Sequence, residues 1–205
     1  MNFLTLLPMA FVMIAGPQIL SAIFLATSEN WQRSSAAYLL GATLSITIVV
    51  TIAYLLGNGA GDAGASNEAI YVVVLVLLVA AAVHTYLKRE ESEPPKWMGK
   101  LQAASPRFSF TLGFLLLGVF PTDILTSFAV GGYLAGHGDP WWHILPFLAL
   151  TLLFLATPAL LLLIFRERAT AFLPKARDWM NTNSWVVNEV VIAFFIVITI
   201  NSLAG

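Results

Sequence analysis

The sequence predicts an all-α integral membrane protein. Six transmembrane helices form two inverted three-helix repeats, with helix breaks at Pro17 and Pro121. Three observations carry this reading. First, hydrophobic residues make up 59% of the chain and charged residues 10%, against about 45–50% and about 25% in globular domains. The apolar residues gather in runs long enough to cross a bilayer. Second, all ten Lys and Arg residues fall in only three of the segments between those runs. Third, two proline-centred interruptions occupy matching depths in two apolar runs, Ala15-Gly16-Pro17-Gln18 and Val119-Phe120-Pro121-Thr122-Asp123.

Taken in order, span 1 is expected over residues 3–27. The polar turn 28–34 leads to span 2 at 36–56, and a glycine-rich acidic loop at 57–68 leads to span 3 at 69–87. Residues 1–87 thus form the first repeat. A charged cytoplasmic linker at 88–107, with Pro94-Pro95 at its middle, separates it from the second repeat at 108–205. Span 4, at 108–136, would reach ~43 Å as a straight helix, well beyond a hydrocarbon core of ~30 Å. It must therefore tilt strongly, break at Pro121 or contain a re-entrant piece. Span 5 is expected at 141–165, with Pro158 a candidate kink. The basic segment 166–183 is either a plain loop or, over 168–179, an amphipathic interfacial helix, and span 6 follows at 184–203.

The basic residues set the orientation. Arg33 follows span 1; Lys88, Arg89, Lys96, Lys100 and Arg107 follow span 3; Arg166, Arg168, Lys175 and Arg177 follow span 5. Cytoplasmic loops collect Lys and Arg, so both termini are expected outside a multi-pass plasma-membrane protein. The first run lacks a basic leader, which fits a retained span. Three spans per half force opposite orientations on the halves, the inverted-repeat arrangement of many secondary transporters.

The functional candidates cluster at the two interruptions. Proline removes a backbone donor and clashes with the preceding turn. In lipid the freed groups need partners within the protein or in a wet cavity. Gly16, Pro17 and Gln18 line one break; Phe120, Pro121, Thr122 and Asp123 line the other, with Thr126, Ser127 and Thr157 as further candidates. A carboxylate inside the hydrocarbon is costly and normally marks a pathway or a partner. Asp123 is therefore either an ion-coupling group or the N-cap of the half-helix after Pro121. Gln18 either lines the same cavity or satisfies the broken backbone. Glu189 in span 6 is either a gate or coupling carboxylate on the pathway or a residue near the interface that reaches water. Asn188 beside it either lines the pathway or serves as interhelical hydrogen-bond glue. Gly132 and Gly136 offer a small-xxx-small surface for a homodimer.

Several classes are set aside. The chain has no cysteine, hence no disulfide, thiolate metal site or thiol relay. No His/Asp/Glu cluster has metal-ligand spacing, and no nucleotide or nucleophile motif is present. Near-neutral charge gives no nucleic-acid footprint. Neither enzymatic activity nor a cofactor is expected; the expected partners are membrane lipids and a lipid or small-molecule substrate.

Gly16-Pro17 in span 1, Arg33, Gly41, Gly113-Phe114 and the Pro121 break together resemble the LysE superfamily of small exporters. Within it, the length and the ending Asn181-Thr182-Asn183-Ser184-Trp185-Val186-Val187-Asn188-Glu189 are similar to the GAP family, also called Sap or sulfolipid-1-addressing proteins. The resemblance implies export of a lipid or lipid-linked polar molecule toward the cell surface, by alternating access. The second reading is export of a small solute or cation, the range of the wider superfamily, with Asp123 as the proton-coupling group. A non-transporting accessory role in an envelope-lipid pathway is the third reading. Many superfamily members carry Asn-Pro-Lys at the second break. Phe120-Pro121-Thr122 stands here instead, so no lysine supplies a substrate contact at that point.

Overall fold

A computed structural model describes residues 3–14, 16–59, 101, 103–183 and, singly, 79, 83, 86, 87, 186, 189, 193, 196, 197 and 200. Every regular element among the described residues is helical. Residues 60–68 of the expected loop, most of the linker, and most of spans 3 and 6 lie outside them, whereas 57–59, expected as loop, continue the preceding helix.

Span 1 is two helices, α1 (Phe3–Ile14) and α2 (Pro17–Ala26). Gly16 separates them at φ 100°, a conformation open to glycine and disfavoured for residues with a Cβ. Pro17 then starts α2 at the position where its missing N–H costs nothing. α2 is buried over nearly its whole length, from Gln18 and from Leu20 to Ala26. The turn after it is tied by Thr27 Oγ1 donating to the Phe24 carbonyl at 2.9 Å and Ser28 Oγ donating to the Leu25 carbonyl at 2.7 Å. These hydroxyls satisfy helix-end carbonyls that have no partner within the helix.

α3 (Trp31–Gly59) is a continuous helix of 29 residues. Leu40, Leu44, Ile48 and Ile52 form a stripe along it and are 41–63% exposed. Residues four apart share one helix face. An apolar stripe on the outside reverses the pattern of a water-soluble helix and suits contact with acyl chains or with further spans. The opposite face packs on α4 (Pro106–Val119) and α5 (Pro121–Gly136). There the backbones touch. A Cβ on Gly41 would strike the Phe110 carbonyl, one on Gly113 the Tyr38 carbonyl, and one on Gly131 would lie 2.6 Å from the Val50 carbonyl. Small residues at such crossings bring membrane helices into direct contact.

The second break follows from local chemistry. A residue before proline is pushed out of the helical region into extended backbone. Phe120 accordingly sits at φ −67°, ψ 130°, and α4 and α5 meet at a bend of 64°. Serine at 105 caps α4 by accepting from the Phe108 amide at 3.3 Å. α5 ends in a Schellman turn: Gly138 takes φ 65°, its amide donates to Ala135, and the Asp139 amide donates to Leu134 at 2.9 Å.

A short 3-10 turn (Trp141–Ile144) leads into α6 (Leu145–Thr182). Helix continues through 166–182, which displaces the plain-loop reading of the basic segment. The backbone departs from helical values at Phe165 (φ −113°, ψ 28°) and stays helical at Pro158. Beyond that kink, Ala169 and Leu173 are buried against Ile23 and Ala26 of α2, and the Arg177 guanidinium lies 5.3 Å from the centre of the Phe24 ring. The core proper collects Met13, Leu25, Tyr38, Leu117, Leu134 and Phe147 from all six helices. Among the described residues, two helices are long and apolar enough to cross a bilayer, Trp31–Gly57 and Trp141–Met180, or three if the bent α4–α5 pair is one crossing. This is a membrane protein built of apolar helices.

Candidate functional site

The two broken helices meet. α2 begins at Pro17 and α5 at Pro121, and the side chains just inside each start are in contact. Gln18 Nε2 donates to Asp123 Oδ2 at 2.6 Å across 105 residues of sequence, and both residues are completely buried. Gln18, second in α2, and Asp123, third in α5, therefore stand where unpaired backbone amides give each helix its positive end.

The backbone around the first break is held by side chains. The Tyr38 hydroxyl, brought in by α3, donates to the Gln18 carbonyl at 2.9 Å. Ser21 Oγ donates to the Pro17 carbonyl at 2.6 Å. A Cβ at Gly16 would sit in ordinary contact, 3.4 Å from Gln18 Oε1, so that glycine is required by its φ of 100° and not by space. The same α3 that carries Tyr38 is pressed against α4 at Gly113, and Ser45 Oγ donates to the Phe114 carbonyl at 2.7 Å. The site thus rests on a rigid α3–α4 seam on one side and on α2 on the other.

Among the described residues, three buried polar atoms at this place have no hydrogen-bond partner: Gln18 Oε1, Asp123 Oδ1 and Ser127 Oγ. Ser127 follows Asp123 by one turn on the same face of α5 and is fully buried. Buried polar atoms are normally paired, because an unpaired one forfeits its hydration without replacement. Their concentration at the junction of two helix breaks marks a place prepared for something polar.

Asp123 is not the helix cap. Phe120 occupies the N-cap position of α5 without a side-chain hydrogen bond, and the Asp123 carboxyl turns to Gln18. Likewise the Gln18 amide goes to Asp123, while the broken backbone is served by Tyr38 and Ser21. Among the described residues Asp123 forms no salt bridge. Thr126 is buried beside it on α5, and Phe120 is part-exposed at the bend. Pro121 and Thr122 open α5, their side chains lying outside the described residues, as does Asn188. Glu189 is a part-buried helical residue whose Oε2 is buried without a partner among the described residues. Thr157 turns away, exposed and bonded to the Leu153 carbonyl of its own helix. Gly132 and Gly136 have open space where a Cβ would stand.

Tyr38 is the member that sequence reasoning missed. The signal available was a tyrosine inside an apolar span one turn before Gly41; an aromatic hydroxyl in hydrocarbon needs a partner.

The family described as Sap, sulfolipid-1-addressing protein, matches residues 6–203. Comparison with curated proteins and with solved structures gave no match.

Proposed function

This chain belongs to the Sap, sulfolipid-1-addressing protein, family, and on that premise we propose that it exports a lipid with a polar, sulfated head group toward the cell surface. Membership points to a role in sulfolipid addressing or export. The observation that carries a transport mechanism is the buried Gln18–Asp123 hydrogen bond joining two helix breaks. Broken helices whose half-helix ends face one another are the usual setting of a transporter's binding site. A carboxylate kept inside an apolar bundle is costly and persists where it does something.

The structure supports a division of labour. α3 and α4 are locked by backbone contact at Gly41 and Gly113. Among the described residues, the Gln18–Asp123 hydrogen bond ties α2 to α5, with no backbone collision of the α3–α4 kind between them. Rocking at Gly16 and at Phe120 would open the junction to one side of the membrane and then to the other. An open hollow of about 190 Å³ at the α6 kink is lined by apolar atoms of Leu161, Phe165, Ala169 and Phe172 and by Arg168, whose contribution is its aliphatic stem. That chemistry suits an acyl chain.

In this reading the chain has six spans in two inverted halves, residues 1–87 and 108–205, with both termini outside, as the one-sided placement of its ten basic residues implies. It would then take its place in the LysE superfamily. The outward-facing Gly132 and Gly136 would serve a homodimer contact. The second reading, a small-solute or cation exporter coupled through Asp123, draws on the same buried carboxylate. Mass spectrometry of what co-purifies in mild detergent separates the two. Enrichment of a sulfated glycolipid over bulk phospholipid supports lipid export, and bulk lipid alone with a bound polar solute overturns it.

A further inference from the structure

The contact between Gln18 and Asp123 is half of a larger pattern. One edge is made, Gln18 Nε2 donating to Asp123 Oδ2 at 2.6 Å. The remaining oxygen of each group, Gln18 Oε1 and Asp123 Oδ1, is buried without a partner. A primary amide and a carboxylic acid have complementary edges: the amide N–H donates to one carboxyl oxygen, and the acid O–H donates to the amide oxygen. With the carboxyl ionised, the second edge consists of two acceptors and no donor. A single proton supplies the missing donor and satisfies both orphaned oxygens at once.

We propose that Asp123 and Gln18 together form a binding site for one exchangeable proton, carried on Asp123 Oδ1 and donated to Gln18 Oε1. The proton comes from water on the side to which the junction is open and returns to water on the other. An O–H bond forms on Asp123, the charge of the site passes from −1 to 0, and release reverses both changes. Protonation closes a two-bond pair between α2 and α5; release leaves one bond and two unpartnered acceptors. Ser127 Oγ, one turn along α5 and also unpartnered, is the next oxygen able to receive a hydrogen bond from the site. A bound metal cation fits less well. It would need several oxygens turned toward it, and Gln18 already directs an N–H at the carboxyl.

The surroundings leave the carboxyl to this partner. Among the described residues, Tyr38 is the other ionisable group reaching the site, and its hydroxyl is engaged with the Gln18 carbonyl. α1 and α2 carry no ionisable side chain. The basic residues of the other packed helices stand elsewhere: Arg33 at the exposed start of α3, Arg107 at the exposed start of α4, and those of α6 beyond its kink.

This inference deepens the transport reading, and its test needs no transport assay, so failure of either is seen separately. The full chain in nanodiscs is titrated with acid while infrared difference spectra are recorded in the protonated-carboxyl region. The expected result is a band that shifts when the chain is labelled with carboxyl-13C aspartate, is lost in Asp123→Asn, and moves to higher frequency in Gln18→Leu, which removes the accepting amide. Gln18→Asn, which keeps an amide, recovers part of that shift. Should Asp123→Asn fail to fold, the isotope label assigns the band to an aspartate and its shift in Gln18→Leu places it at Asp123, the aspartate that Gln18 touches. A band indifferent to the label, or unmoved in Gln18→Leu, overturns the proposal. So does a band that responds to sodium at fixed pH, the mark of a metal-cation site.

Discussion

Replacing Gly113 by alanine tests the seam on which the site is built. A Cβ there would collide with the Tyr38 carbonyl oxygen, with the Tyr38 carbonyl carbon at 3.0 Å and Cδ2 at 3.1 Å. The obstacle is backbone, so no rotamer change relieves it. Carbon contacts settle near ~3.5–4.0 Å, so α3 and α4 must part by on the order of 1 Å. Overpacking of this kind costs about 1–3 kcal/mol, and alanine returns about 0.5–1 kcal/mol of helix propensity. The net expectation is about 1–2 kcal/mol of destabilisation. Displacement of Tyr38 also weakens its hydrogen bond to the Gln18 carbonyl, so function should fall further than stability. Gly132→Ala is the control, because its Cβ meets nothing within 4 Å. In equilibrium unfolding in bicelles, diluted so that chains stay apart, Gly132→Ala should match or slightly exceed the parent and Gly113→Ala should fall below it. Equal stability of the two variants would refute the backbone-contact account of the α3–α4 seam.

Three further outcomes follow. Gly16→Ala forces a Cβ into φ 100° beside Gln18 Oε1; it should cost about 1–2 kcal/mol, read in the same assay, and a neutral result would remove the positive φ from the account of the first break. Tyr38→Phe keeps the ring and loses the hydroxyl bond to the Gln18 carbonyl; a loss of about 1 kcal/mol is expected, with an unchanged value meaning that water serves that carbonyl instead. Single cysteines at Ser66 and Ser92, both outside the described residues, should react with an impermeant reagent added to intact cells at Ser66 alone, and equal labelling would overturn the orientation.

Much of the site was legible because proline acts locally. Pro17 and Pro121 each remove a donor and constrain the residue before them, so the breaks and their neighbours Gln18 and Asp123 stand out in an otherwise apolar run. The contact partners were less visible. Tyr38 reaches a backbone carbonyl, which carries no sequence signature, and does so only at the helix rotation set by the Gly41–Gly113 crossing. The cap reading of Asp123 failed because the side chain found an amide on another helix. The basic segment after span 5 leaves loop and amphipathic helix open, because Pro174 and its charges argue for a loop. Yet Arg, Glu, Ala, Leu and Lys are good helix formers, and Ala169 and Leu173, one turn apart, anchor the segment on α2. Pro158 was the expected kink in span 5, and the backbone bends at Phe165 instead, where the apolar run gives way to charge. Spans 3 and 6 rest on hydrophobicity and the positive-inside pattern.

The central claim is that the buried Asp123 drives export, and its most direct test is gradient-driven transport in proteoliposomes. The probe is a short-chain fluorescent sulfated glycolipid. Its movement between leaflets is followed for the unmutated chain and for Asp123→Asn, with and without a pH gradient. Asparagine keeps the shape of the side chain and can still pair with Gln18, so the variant should reconstitute as a folded protein. The account predicts probe movement accelerated by the pH gradient in the unmutated chain and no gradient-driven movement in Asp123→Asn. Acceleration of equal size in the variant would contradict it and leave Asp123 a structural tie between α2 and α5.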